Sequence, residues 1–210
     1  MSYVFLHGLG QTPSSWENII SASGLKEKAF CPDLPTLTSG GEVSYQSLYD
    51  ALCRFLGELP KPLDLCGLSI GGMLALNYAI DHSGDVSSLV LIGVQYKSPK
   101  MLLKVQNVIF HLMPKSSFAE TGFGKDEFIS LSRSMEELDF SLGLGGISCP
   151  TLILCGEKDK ANRAACVSLA QKMPQARFES IEGAGHEANI DAPEEFARRL
   201  MEFWSIKTAG

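Results

Sequence analysis

Three short segments carry residues whose chemistry fits together. Cys66-Gly67-Leu68-Ser69-Ile70-Gly71-Gly72 contains the pattern G-x-S-x-G, set between an apolar run and a stretch of helical period. A serine on a sharp strand-to-helix turn stands clear of the sheet, and the flanking glycines are needed because a Cβ there would collide as strand and helix approach. The helix N-terminus adds positive potential and free N–H groups beside the hydroxyl. A serine hydroxyl ionises far too weakly at neutral pH to attack a carbonyl unaided, so a base must take its proton. Gly183-Ala184-Gly185-His186 offers an imidazole after one apolar run, and Gly156-Glu157-Lys158-Asp159 offers carboxylates after another. In this scheme Ser69 is the nucleophile and His186 the general base, which returns the proton to the leaving group. Asp159 holds the imidazole tautomer and stabilises the imidazolium. Glu157, two residues away, is the alternative acid. Each segment alone reads equally well as a turn or loop. Together, in the order Ser, Asp, His and each after a strand, they point to acyl transfer.

The elements that must hold these residues are legible as alternating patterns. Near-continuous apolar runs at about 3–6, 28–31, 62–66, 88–93, 151–155 and 176–181 read as strands covered on both faces. Helical periods at about 14–22, 44–58, 70–82, 161–173 and 193–204 follow most of them. Strand–helix alternation predicts an open sheet of about six parallel strands with right-handed crossovers and helices on both faces. No hydrophobic strand precedes Tyr3, so no antiparallel strand is expected inside that sheet. Asp159 and His186 then fall just past the carboxyl ends of strands, where open α/β sheets place their sites.

One interval, about 95–149, is far longer than a single crossover helix needs. It opens with Ser98 as a helix N-cap and Pro99 at the first helical position, and Pro114 closes the run. Met101, Leu102, Val105, Val108, Ile109 and Leu112 keep helical spacing, while Leu103, Phe110 and Met113 widen the apolar surface beyond one stripe. A second periodic stretch carries Phe128, Leu131, Met135 and Leu138. Both can be ordinary covering helices. Alternatively the first roofs a pocket, with Met101, Leu102, Val105 and Ile109 as substrate-facing residues, or its surplus apolar surface meets a second subunit.

His7-Gly8-Leu9-Gly10 ends the first strand, and with it the chain resembles the α/β-hydrolases. The resemblance extends to Asp33-Leu-Pro, to Cys149-Pro-Thr-Leu-Ile-Leu before the acid, and to His186-Glu-Ala-Asn-Ile-Asp-Ala-Pro leading into the last helix. It implies an oxyanion hole made by the backbone N–H groups of Leu9 and Ile70. Such donors meet charge that develops only at the tetrahedral stage, and each is worth roughly 3–4 kcal/mol. His7 precedes the hole and reads as shaping its loop. The sequence departs from the family in starting directly at the strand bearing His7, and in carrying Thr36-Leu-Thr-Ser-Gly-Gly where a Gly-His-Gly is usual.

Composition narrows the remaining classes. A chain of 210 residues that is 45% hydrophobic and 20% charged suits one domain, 1–210, with the long interval as a helical cap. A formal charge of −6 lacks the basic stripe of a nucleic-acid or anionic-membrane binder. No run approaches the ~18 apolar residues of a membrane helix. The N-terminal segment lacks the basic region of a signal peptide, which predicts a cytoplasmic protein. The six cysteines have neither zinc nor framework spacing and read as reduced thiols. The expected function is a serine hydrolase that cleaves a small carboxylic ester, lactone or thioester through an acyl-enzyme. It needs no metal or organic cofactor, its partner is a small-molecule substrate, and monomer and homodimer are both open. The resemblance also covers same-triad carbon–carbon hydrolases and lyases, such as the menaquinone-pathway synthase, and non-catalytic small-ligand receptors.

Overall fold

The computed structural model describes residues 2–38, 41–118 and 122–208, except for the side chains of Met101, Leu102, Val105 and residues 206–208. Its strands are β1 (Ser2–Leu6), β2 (Ala29–Phe30), β3 (Leu63–Leu68), β4 (Val86–Ile92), β5 (Thr151–Gly156) and β6 (Ala176–Ile181). They form a six-stranded sheet in the order β2-β1-β3-β4-β5-β6, and every neighbouring pair is parallel. Among the described residues, antiparallel pairing is confined to an isolated bridge, Lys97 with Asp139, outside the sheet.

The helices are α1 (Glu17–Ala22), α2 (Leu34–Leu37), α3 (Tyr45–Gly57), α4 (Ile70–Asp81), α5 (Lys100–Leu112), α6 (Lys125–Ser134), α7 (Lys160–Lys172), α8 (Ala188–Asp191) and α9 (Pro193–Thr208). Successive strand residues point to opposite faces, so a strand covered on both sides is near-continuously apolar, and its buried polar residues pair with each other, as the Ser88 hydroxyl of β4 donates to Asp64 of β3. Val4, Leu6, Leu65, Leu91 and Ile153 pack toward α3, α4 and α7. Phe5, Cys66, Leu68, Val90 and Leu154 pack on the other face against Trp16, Ile19 and the α9 residues Phe196, Leu200 and Trp204. β2 is only two residues long and half-buried, as befits an edge.

The chain runs from β1 outward to β2, then crosses back and proceeds β3, β4, β5, β6 in the other direction. The direction therefore reverses between β1 and β3, and the crevice beyond the carboxyl ends at such a switch point is where open sheets bind ligands.

The long interval between β4 and β5 contains α5 and α6. Two expectations about it are corrected. Helix α5 begins at Lys100 without a side-chain cap, because the Ser98 hydroxyl donates instead to the carbonyl of Met135 at the end of α6. That bond satisfies an orphan helix-end acceptor and staples the two helices together. The helical stripe of α5 does not turn inward where its side chains are described: Val108, Ile109 and Leu112 are exposed, and residues beyond that stripe face the core instead. Of its described apolar side chains Leu103 and Phe110 pack against the core, Phe110 edge-on to Phe128 with centroids 4.9 Å apart.

Candidate active site

Ser69 sits between β3 and α4 with φ 53° and ψ −118°, and it is the one described non-glycine residue with positive φ. Such a backbone costs about 1–3 kcal/mol and persists only where its surroundings impose it. The imposition is visible at the flanking glycines. A Cβ on Gly67 would lie 2.4 Å from the Gly71 carbonyl oxygen, and one on Gly71 would lie 2.2 Å from that of Leu6. Both clashes are with backbone, so the elbow tolerates only glycine at these places.

Asp159 follows β5 and caps α7, its Oδ1 accepting from the Asn162 N–H at 3.3 Å. Its Oδ2 accepts from His186 Nδ1 at 2.8 Å. The Asp159 side chain is 4% exposed and the imidazole 41%, so the carboxylate is sealed in the protein while the ring lines the cavity. Glu157, the alternative acid, faces away and accepts from the Gly183 N–H at 3.0 Å. Ser69, Asp159 and His186 all line one cavity of about 330 Å³. No hydrogen bond joins Ser69 Oγ to His186 in the described structure, although the sequence predicts that contact. Hydrogen bonds between such groups are often long or poorly aligned until a substrate is bound.

Gly93 ends β4 with φ +57°, and a Cβ there would lie 2.9 Å from both Cε1 and Nδ1 of His186. This glycine is the floor on which the imidazole rests. Nothing in Ile92-Gly93 distinguishes it from a routine strand-ending turn, so sequence reading missed it. Gln95 and Asn162 also line the cavity and were missed; Asp159-Lys-Ala-Asn162 reads as an ordinary helix start.

The remaining described cavity wall comes from Met73, Ser98, Pro99, Leu103, Gln106, Met135 and Ala161. Among its described side chains, α5 contributes Leu103 and Gln106, one turn apart and in phase with Pro99. Ile109 is 51% exposed on the outside of the helix and does not line the cavity, which corrects the sequence expectation. The physical reason is phase: the Ser98–Met135 staple rotates the 99–103–106 stripe inward. The side chains of Met101, Leu102 and Val105 lie outside the described residues.

The loop after β1 packs beside the serine, with a Cβ at Gly8 reaching to 3.7 Å from Ser69 Cβ. Neither the Leu9 N–H nor the Ile70 N–H has a hydrogen-bond partner among the described residues. His7 is buried; its Nδ1 donates to the Gly8 carbonyl at 2.9 Å and its Nε2 accepts from the Leu34 N–H at 3.1 Å. Acceptance at Nε2 requires a neutral ring, with its one proton on Nδ1. Burial pushes the His7 pKa down, outweighing the Gly8 carbonyl and the Asp33 carboxylate, which pull it up. Gln11 and Asn189, both buried, exchange amide hydrogen bonds at 3.1 and 3.2 Å. They tie this loop to the segment following His186. His82 and His111 are elsewhere, stacked on Tyr78 and bonded to the Asn107 carbonyl respectively.

Among the described residues no group of three or more His, Cys, Asp or Glu side chains is placed to hold a metal ion. The six cysteines are all free thiols. No described helix is long and apolar enough to cross a membrane.

A parallel sheet that drives its central strand through a strained serine into a helix, with a histidine–carboxylate pair beyond later strands, defines a protein of the hydrolase-elbow class. Residues 3–199 match the family model described as alpha/beta hydrolase family, and the chain belongs to that family. It is 21% identical over 251 residues to human monoacylglycerol lipase ABHD6, a match covering 96% of this chain and 74% of the relative. It is 24% identical over 232 residues to the pimeloyl-[acyl-carrier protein] methyl ester esterase of Legionella pneumophila, covering 97% and 95% of the two chains. The enol-lactonase of Burkholderia xenovorans LB400 superposes with a TM-score of 0.82 at 19% identity, over 97% of this chain and 90% of that one.

Proposed function

We propose that this protein is a serine hydrolase of small carboxylic esters, lactones or thioesters, with Ser69, His186 and Asp159 as its catalytic triad. The observation that carries the proposal is the meeting of the strained Ser69 with the bonded His186–Asp159 pair on one cavity. In the first step Ser69 Oγ bonds to the substrate carbonyl carbon as its proton passes to His186 Nε2. The carbonyl oxygen takes up charge against the Leu9 and Ile70 N–H groups. The carbon–leaving-group bond then breaks, and Nε2 delivers its proton to the departing alcohol or thiol. Water repeats the sequence on the acyl-serine, releasing the acid and restoring the hydroxyl. Throughout, Asp159 keeps the Nδ1 proton in place so that Nε2 is free to act.

In this reading residues 95–149 form a cap whose α5 roofs the site. The described cavity wall includes no lysine or arginine, which supports a neutral acyl or alkyl group over a polyanionic substrate of the lyase kind. Met73, Leu103 and Met135 give it apolar surface, and relatives named as methyl ester esterase and enol-lactonase favour ester-type bonds. The test is labelling by a fluorophosphonate probe together with a screen of esters, lactones and thioesters of graded acyl length. Ser69→Ala is expected to lose both labelling and turnover, and His186→Ala to lose about 10³-fold or more in rate. Full labelling of Ser69→Ala would place the nucleophile elsewhere, and a folded wild-type protein that turns over none of these substrates would refute the ester-hydrolase reading.

A further inference from the structure

Asp159 needs one orientation only: Oδ2 toward His186 Nδ1. A helix-capping aspartate is not by itself held there. The Asn162 N–H binds Oδ1 at 3.3 Å, a long contact that leaves the carboxylate free to rock about its last torsion. The Asn162 side chain removes that freedom. Its Nδ2 lies 2.9 Å from Oδ1 and 2.9 Å from Oδ2, equidistant, so rocking in either direction weakens one contact. The same nitrogen is 3.1 Å from His186 Nδ1, so Asn162 and His186 converge on Oδ2 from adjacent sides.

This arrangement works only for one setting of the amide. Turned over, Asn162 would bring Oδ1 against the carboxylate, acceptor against acceptor, and would offer His186 Nδ1–H a competing partner. Gln95 prevents the turn. Its Nε2 donates to Asn162 Oδ1 at 2.9 Å and to the Ala161 carbonyl at 3.3 Å, and a donor there needs the oxygen of the Asn162 amide, not its nitrogen, facing it. Gln95 stands two residues beyond Gly93 at the end of β4, so the loop under the imidazole and the first turn of α7 are joined through this amide pair.

We propose that Asn162, aimed by Gln95, is a positioning residue that locks the Asp159 carboxylate onto His186. The inference rests on the triad reading above, since it assigns Asn162 a role through Asp159 and none of its own in bond making.

The test uses purified full-length protein and an aryl acetate, with Asn162→Ala, the isosteric Asn162→Asp, Gln95→Met, and the Gln95/Asn162 double variant. Every variant keeps the backbone N–H that caps α7. Asn162→Ala is expected to lower kcat about 10- to 100-fold, the scale of a displaced catalytic group, with KM within about twofold of wild type. Asn162→Asp fills the same space without a donor and is expected to be at least as slow. Gln95→Met is expected to lose less, and to lose nothing further in the Asn162→Ala background. The low-field proton resonance of the His186–Asp159 bond should shift in Asn162→Ala and Gln95→Met alike, with melting temperatures near wild type. Wild-type kcat in folded Asn162→Ala would overturn the proposal. So would a loss confined to KM, which would make the pair a substrate contact, or additive losses in the double variant. Those failures are separate from failure of the triad: loss of fluorophosphonate labelling in Ser69→Ala upholds the hydrolase whatever Asn162 does.

Discussion

Gly93→Ala offers a test of the site in which strain and clash can be worked out separately. The native φ of +57° belongs to the left-handed region, where an L side chain costs roughly 1–2 kcal/mol. The new methyl would also sit 2.9 Å from Cε1 and Nδ1 of His186 and 3.2 Å from Asp159 Oδ2. Opening the two shorter contacts to ordinary van der Waals distance moves the ring by at least ~0.5 Å. The ring cannot move so far and keep both the 2.8 Å bond to Asp159 and its approach to Ser69. A 1 Å misplacement of a reacting group can cost about 100-fold, so a loss of about tenfold or more in kcat/KM is expected. The strain alone should lower the melting temperature by about 2–8 °C in a chain of this size. Gly24→Ala is the control, because Gly24 shares the left-handed backbone at φ +67° but has nothing within 4 Å of its Cβ position. It should show the drop in melting temperature with wild-type turnover of an aryl ester. If Gly93→Ala retains wild-type kcat/KM at a temperature where it is folded, His186 does not act from the position described here.

Two further outcomes follow from neighbouring features. Because burial lowers the His7 pKa, the unfolded chain binds more protons than the native one between that lowered value and about 6.5. His7 should therefore contribute stability that is fully present above about pH 6.5 and is lost as pH falls through the lowered native value. Unfolding free energies measured across this range should lose that slope in His7→Gln, and an unchanged slope would refute the assignment. Leu103→Ala should shift acyl-chain preference toward longer chains, whereas Ile109→Ala, on the exposed side of α5, should leave it untouched; equal shifts in the esterase screen would mean that α5 is turned differently.

The parts of this molecule legible in its sequence are those that a single physical rule decides. A strand covered on both faces is near-continuously apolar, so β3, β4 and β5 announce themselves. Their order along the chain then puts Ser69, Asp159 and His186 at one edge of the sheet without any knowledge of side-chain positions. Helix α5 was legible as a helix, but its apolar surface is wider than one stripe, so more than one face competes for the inside. The deciding contact, Ser98 to the Met135 carbonyl, joins residues 37 apart in sequence. Asn162 was hidden for a different reason: D-x-x-N is fully explained as a helix cap, and the cap bond is indeed made. Its second use depends on which way an amide faces, and that is settled by Gln95, 67 residues earlier. Gly93 is hidden in the same way, since its reason for being glycine is an imidazole brought back by β6. Strand periodicity places the reacting groups along the sheet edge. The contacts that orient them come from residues far away in sequence, and no local pattern can carry that information.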